Sequence, residues 1–70
     1  MKLDEARFKS RLTQYALFLK TGISPSKISL IENGLLIPGE KDRQALAEAL
    51  EISPEDLEFE KAPRIGRAGQ

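Results

Sequence analysis

The sequence predicts an all-α fold, a compact bundle of five short helices, and three observations indicate it. Apolar residues recur at helical spacing, for instance at Ile28 and Ile31 and again across residues 45–50. Helix start and stop signals such as Ser24-Pro25 divide the chain into short segments. Valine is absent and aromatic residues make up 6% of the 70 residues, which disfavours a sheet. A chain of this length forms one domain, which we place at residues 1–60.

The first two helices are predicted at residues 3–10 and 13–20. The apolar members of the first helix are Leu3, Ala6 and Phe8. Thr13 opens the second helix, because its hydroxyl can accept a hydrogen bond from a first-turn amide that has no partner within the helix. Gly22 ends this helix, since glycine tolerates the positive φ that is common after a helical C-terminus.

The third helix is predicted at residues 25–32. Ser24 is its N-cap, and Pro25 suits the first helical position because it has no amide hydrogen to leave unpaired. Ile28 and Ile31 form its inner side, and the run Glu32-Asn33-Gly34 ends it. Residues 13–33 therefore form a helix, a tight turn and a second helix.

Two further helices and a tail complete the prediction. Residues 40–50 form the clearest amphipathic helix, after a connection that contains Pro38 and Gly39. Ser53 and Pro54 are an N-cap and first position for a fifth helix, to which Leu57 contributes an apolar contact. Residues 61–70 have no apolar periodicity, and we expect them to be a flexible basic tail.

Composition excludes several classes of function. Cysteine and histidine are both absent, which removes thiolate metal sites, zinc fingers and histidine-based catalysis. The acidic residues at positions 55–60 resemble a solvated helix face, so we expect no enzyme activity, no metal and no cofactor. No apolar run is long enough to cross a membrane and the start of the chain is charged, so we expect a cytoplasmic protein.

The net charge is zero but its distribution is uneven. Residues 1–34 carry six Lys or Arg and three Asp or Glu, a net charge of +3. Residues 35–60 carry two basic and eight acidic residues, a net charge of −6. The helix pair therefore lies on the positive side of a dipolar molecule, which favours contact with an anionic partner.

A helix pair of this kind can place its second helix in the major groove of double-stranded DNA. The inner side of that helix packs on the domain, while its outer side stays available for the bases. The N-terminus of the preceding helix offers amides and a positive dipole end to a phosphate. We expect these residues to contact DNA: Thr13, Gln14, Ser24, Ser26, Lys27, Ser29, Leu30 and Asn33.

Residues 12–34 resemble the helix-turn-helix of the Cro and lambda-repressor-like family, also called XRE-type regulators. The matching residues are Leu12-Thr13-Gln14, Leu17, Gly22-Ile23-Ser24, Ile28-Ser29 and Ile31-Glu32-Asn33-Gly34. The resemblance implies a sequence-specific transcriptional regulator of repressor type. It also implies that Gln14 contacts a phosphate or supports a base-contacting side chain, and that Arg7 forms an ion pair with Glu32. Because the second helix of the pair offers few hydrogen-bonding side chains, we expect a monomer to bind poorly and a dimer to bind two half-sites.

Two departures from the family pattern leave an alternative open. Pro25 stands where the family often has a base-contacting Gln or Arg, and Leu30 stands where it often has a polar residue. The alternative is a protein-interaction module on the same fold, a modulator or antitoxin-like partner. Its docking patch would consist of Tyr15, Leu19, Leu30, Leu35, Leu36 and Ile37. For Leu57 and Phe59, with Leu36 and Ile37, core closure and a dimer contact are equally good interpretations.

Overall fold

A computed structural model of the chain describes residues 1–59, and the predicted basic tail at 61–70 lies outside this part. Four α-helices follow one another, and a single 3-10 turn comes after them. They are α1 (Leu3–Lys9), α2 (Gln14–Thr21), α3 (Pro25–Glu32), α4 (Glu40–Leu50) and the 3-10 turn Pro54–Asp56. Residues 1–59 contain no strand beyond one isolated parallel bridge between Lys2 and Glu58. The all-α prediction is therefore confirmed.

The predicted caps position the helix pair. The Thr13 hydroxyl accepts from the amide of Ala16 at 3.0 Å, and the Ser24 hydroxyl accepts from the amide of Lys27 at 3.2 Å. Gly22 ends α2 with φ of 80°, in the left-handed region that favours glycine. Gly34 has φ of 75° just after α3. Each of these signals is local, which is why the sequence predicts α2 and α3 to within one residue.

The fifth helix predicted from residue 53 begins at the predicted place but is only the 3-10 turn Pro54–Asp56. The Ser53 hydroxyl makes no cap and hydrogen-bonds the carboxylate of Glu55 instead. Leu57 then takes an extended backbone, and the amide of Glu58 donates to the carbonyl of Met1 at 2.9 Å. An extended segment buries Leu57 and leaves the following residue free to pair with the start of the chain, which a continued helix would not do.

One apolar core holds the helices together. Leu17, Ile28 and Leu46 have no exposed surface, so each of α2, α3 and α4 contributes one fully buried side chain. The other buried apolar residues are Leu3, Ala6, Ile23, Ile31, Ala47, Leu50 and Leu57. Leu57 is 3% exposed, which assigns it to core closure and not to a dimer contact. Phe8 is 69% exposed, so among the apolar members named for α1 only Leu3 and Ala6 face the core.

Two helices end in the left-handed region without a glycine. After α1, Arg11 has φ of 58°, and the amides of Arg11 and Leu12 donate to the carbonyls of Phe8 and Arg7. After α4, Glu51 has φ of 59°. The same pair of nested hydrogen bonds closes helices that end in glycine. Here a residue with a side chain adopts the left-handed conformation, which has a steric cost that glycine does not have.

Candidate nucleic-acid interface

The turn between α2 and α3 fixes how the two helices meet. It is only three residues long, Gly22, Ile23 and Ser24. Ile23 is 6% exposed and anchors the turn in the core, while the Ser24 hydroxyl caps α3. Thr21 adds a further tie, because its hydroxyl donates to the carbonyl of Leu17 and accepts from the amide of Ile23. The start of α3 is thus held by hydrogen bonds and burial together.

The faces of α3 are sharply divided. Ile28 and Ile31 are buried, whereas Ser26, Leu30 and Asn33 are exposed. At about 100° per residue, these three exposed residues fall within an arc of roughly 60°. We call Ser26, Leu30 and Asn33, with the half-buried Ser29 beside them, the exposed face of α3.

A shallow depression lies where the start of α2 meets the exposed face of α3. Gln14 lines it from α2, and the remaining lining residues belong to α3: Pro25, Ser26, Ser29 and Leu30. An amide, two hydroxyls and two apolar side chains thus converge at one place on the surface. Such a mixture can form hydrogen bonds with base edges or phosphates and can also contact a methyl group.

A hydrogen-bonded ion pair lies behind this surface. Arg7 donates through Nε to Oε2 of Glu32 at 2.7 Å and through Nη2 to Oε1 at 3.1 Å. The same guanidinium donates to the carbonyl of Leu12 at 3.0 Å, and Gln14 Nε2 donates to Glu32 Oε1 at 2.9 Å. The Arg7 and Glu32 side chains are only 12% and 8% exposed. The hydrogen bond to Glu32 raises the pKa of Arg7 above its ordinary value.

This network joins the end of α3 to α1 and to the start of α2. Glu32 accepts from both Arg7 and Gln14, so it fixes the C-terminal end of α3 against two other helices. Gln14 uses at least one of its amide hydrogens inside the protein, although the same side chain lines the depression. A phosphate contact by Gln14 therefore has to use the other amide hydrogen, because the amide oxygen can only accept and a backbone phosphate offers no donor.

A family model described as Helix-turn-helix matches residues 3–57, from the start of α1 to the end of the core. The chain belongs to the lambda-repressor-like, XRE-type helix-turn-helix family. At the level of this family it is a DNA-binding helix-turn-helix regulator. Searches of the curated proteins and of the solved structures found no match. Among residues 1–59, none of the helices has the length and apolarity needed to span a bilayer.

Several of the expected DNA-contacting residues of this helix-turn-helix domain already have partners. Thr13 and Ser24 act as helix caps through their hydroxyls. Asn33 Nδ2 donates to the carbonyl of Ser29 at 2.9 Å and to its hydroxyl at 3.3 Å. Lys27 Nζ lies 2.8 Å from Oδ2 of Asp42, at the start of α4. Ser26 and Leu30 are exposed, and neither appears among the side-chain hydrogen bonds or ion pairs of residues 1–59.

Exposed apolar residues form a second feature of the surface. Tyr15 and Leu19 are 61% and 65% exposed on α2, and the Tyr15 ring lies 5.7 Å from that of Phe18. Leu35 is 64% exposed directly after α3, where its amide donates to the carbonyl of Leu30. Ile37 is 47% exposed. Leu36 differs from the others in the predicted patch, because it is partly buried against the core.

Two residues with a bearing on this surface could not be found from the sequence. Asp42 meets Lys27 only because the tertiary fold brings the start of α4 near α3, and no local pattern marks that contact. Phe8 lies with its ring centroid 5.0 Å from the guanidinium carbon of Arg7, which covers one side of the buried ion pair. The sequence marks Phe8 only as an apolar member of α1 and does not indicate this contact with Arg7.

Proposed function

We propose that this chain is a sequence-specific transcriptional regulator of repressor type that binds DNA as a homodimer and inserts α3 into the major groove. The observation that carries the proposal is the exposed face of α3 beside the depression at the start of α2. The opposite face of α3 is buried, and its end is fixed by the network around Glu32. A rigid helix with one open face suits entry into a groove.

The side chains on that face favour a particular kind of recognition. The Ser26 hydroxyl can donate to or accept from a base edge, and the methyl groups of Leu30 suit the methyl group of thymine. Neither can make a bidentate contact, so each contributes less than the roughly 1–3 kcal/mol of a good bidentate pair. We infer that one protomer binds weakly, and that a dimer on two half-sites about 34 Å apart supplies the affinity. A dimer on a promoter excludes other proteins from the same DNA, which supports repression.

The test is selection of bound sequences from random duplex DNA, together with measurement of the protein's mass in solution. We expect a palindromic site and a dimer on it. Leu30→Ala should remove the preference at a thymine position and weaken binding by about fivefold, roughly 1 kcal/mol. Leu19→Ala is the matched control, because Leu19 is a leucine on α2 that is 65% exposed, more than the 43% of Leu30. Recovery of no preferred sequence, or equal effects of the two variants, would contradict the proposal.

A second candidate function rests on the exposed apolar side chains. Tyr15, Leu19, Leu30, Leu35 and Ile37 are each at least 43% exposed, which favours a surface that another protein covers. If the chain is a protein-interaction module, we expect it not to bind the DNA that flanks its own gene. We expect it instead to co-purify stably with one partner protein. In that case Leu19→Ala and Leu35→Ala weaken the complex, whereas Lys27→Ala leaves it intact.

A further inference from the structure

The ion pair between Lys27 and Asp42 links the proposed DNA-binding helix to α4. Lys27 Nζ is 2.8 Å from Asp42 Oδ2, and the two side chains are 45% and 27% exposed. Lys27 is the only cationic residue of α3, whose other charged residue, Glu32, is bound to Arg7. The one positive charge of this helix is therefore already paired with a carboxylate of the same protein.

The position of Lys27 on α3 allows its ammonium group to reach either Asp42 or a group in front of the exposed face of α3. At about 100° per residue, Lys27 lies roughly 60° beyond Leu30 around the helix, at the border between the exposed face and the α4 side. The ammonium group is a point charge on a flexible four-carbon stem, so it can reach to either side. Asp42 lies in the first turn of α4, where the helix dipole also favours a carboxylate.

We propose that Asp42 is a positioning residue that competes with DNA phosphates for Lys27 and thereby weakens sequence-independent binding. The inference rests on the proposed function, since it assumes that α3 approaches DNA. Lys27 bound to Asp42 neutralises no phosphate and releases no counterion, whereas Lys27 released from Asp42 does both. With the sequence-independent part of the DNA affinity reduced, a larger share of the affinity comes from base contacts by the exposed face of α3. The ion pair therefore increases the preference for the specific site over other DNA.

The experiment is a double-mutant cycle on a random duplex that lacks the selected site. Wild type, Asp42→Asn, Lys27→Gln and the double variant are compared by fluorescence anisotropy over a range of salt concentrations. Asp42→Asn also removes a negative charge near DNA, which would tighten binding without any role for Lys27. The effect of Asp42→Asn in the Lys27→Gln background measures this charge effect by itself. Asp42→Glu keeps the carboxylate and serves as the conservative rescue. Urea unfolding of each variant establishes that it is folded.

We expect Asp42→Asn to tighten binding about two- to fivefold more in the wild-type background than in the Lys27→Gln background. It should also steepen the slope of log K against log salt by up to about 0.9, the value for one further phosphate neutralised. Asp42→Glu should keep the wild-type slope. A change in slope is informative because a purely structural role of Asp42 would alter stability without adding a phosphate contact.

The outcomes separate this inference from the proposed function. If Asp42→Asn tightens binding equally in both backgrounds, or leaves the slope unchanged, the competition for Lys27 is wrong while DNA binding stands. If wild type selects no preferred sequence but the cycle shows the expected coupling, sequence-specific regulation is wrong while the competition stands. If no variant binds any duplex at low salt, both are wrong.

Discussion

Removing Arg7 from the ion pair with Glu32 should destabilise the domain strongly. Arg7→Met keeps an unbranched apolar stem but leaves the Glu32 carboxylate with only the hydrogen bond from Gln14. Exposed pairs contribute about 0.2–1 kcal/mol, and loss of one partner from a fully buried pair costs about 3–5 kcal/mol. With side chains 12% and 8% exposed and two hydrogen bonds between them, this pair lies between those cases, and we expect a loss of about 2–3 kcal/mol.

This loss is large for so small a domain. A chain of 70 residues has a total stability of roughly 3.5–10 kcal/mol. At about 4–8 °C per kcal/mol, Arg7→Met should lower Tm by roughly 10–20 °C. Urea and thermal unfolding followed by circular dichroism measure both quantities.

The pH dependence of this loss has a definite sign. The hydrogen bond to Glu32 raises the pKa of Arg7, so the stabilisation from Arg7 is fully present below its ordinary pKa and disappears only as pH rises through the raised value. The cost of Arg7→Met should therefore be constant between about pH 7 and pH 10. Arg7→Met/Glu32→Leu removes both charges and should recover at least half of the stability. A single-variant loss below about 0.5 kcal/mol, or additive losses in the double variant, would refute this account.

Two other predictions concern backbone strain and a carboxylate. Gly22→Ala should cost about 1–2 kcal/mol from strain alone, because φ is 80° and a Cβ there meets nothing within 4 Å. Glu51→Gly should instead stabilise by about 0.5–1 kcal/mol, because it relieves a non-glycine residue at φ of 59°; urea unfolding measures both, and equal signs would contradict the strain argument. The Ser53 hydroxyl lowers the pKa of Glu55 through its hydrogen bond, so Ser53→Ala should return that pKa toward its ordinary value while Ser53→Thr keeps it low. An NMR pH titration of Glu55 tests this. The stabilisation that this hydrogen bond gives to the folded protein is present above the ordinary pKa of Glu55 and is lost as pH falls through the lowered value. If Glu55 titrates in Ser53→Ala as it does in the wild type, the Ser53 hydroxyl is not the cause of the lowered pKa.

The sequence predicts the helix pair well because its signals are local. Thr13, Ser24 and Gly22 act on amides or dihedral angles within four residues, and the structure has each of them in the predicted role. The 3-10 turn shows the limit of such signals. The Ser53-Pro54 signal fits the start of a single turn as well as the start of a longer helix. The end of the turn is set by the burial of Leu57. That burial depends on residues distant in the chain.

In the candidate site, too, local features can be predicted from the sequence and long-range contacts cannot. Spacing alone predicts that Ser26, Leu30 and Asn33 share an exposed side of α3, since a helical period determines the faces. It does not predict that Asp42 takes up the charge of Lys27, because this contact depends on where α4 lies. The left-handed conformation of Arg11 is likewise invisible, since the residue that usually marks it is glycine.

If the proposed function holds, the distribution of charge predicts that affinity and specificity come from different residues. Residues 1–34 have a net charge of +3, yet Arg7 is bound to Glu32 and Lys27 to Asp42. Within residues 1–59, Lys9 and Arg11 form no ion pair, and Arg11 lies two residues before the N-cap of α2, where the helix dipole favours a phosphate. Contacts from this segment would supply affinity without sequence preference. Under the proposed function, the exposed face of α3 would supply the hydroxyl and methyl groups that distinguish one base from another. Under the proposed function, a helix α3 with so little charge would depend on phosphate contacts outside itself, and on a second protomer, for its affinity.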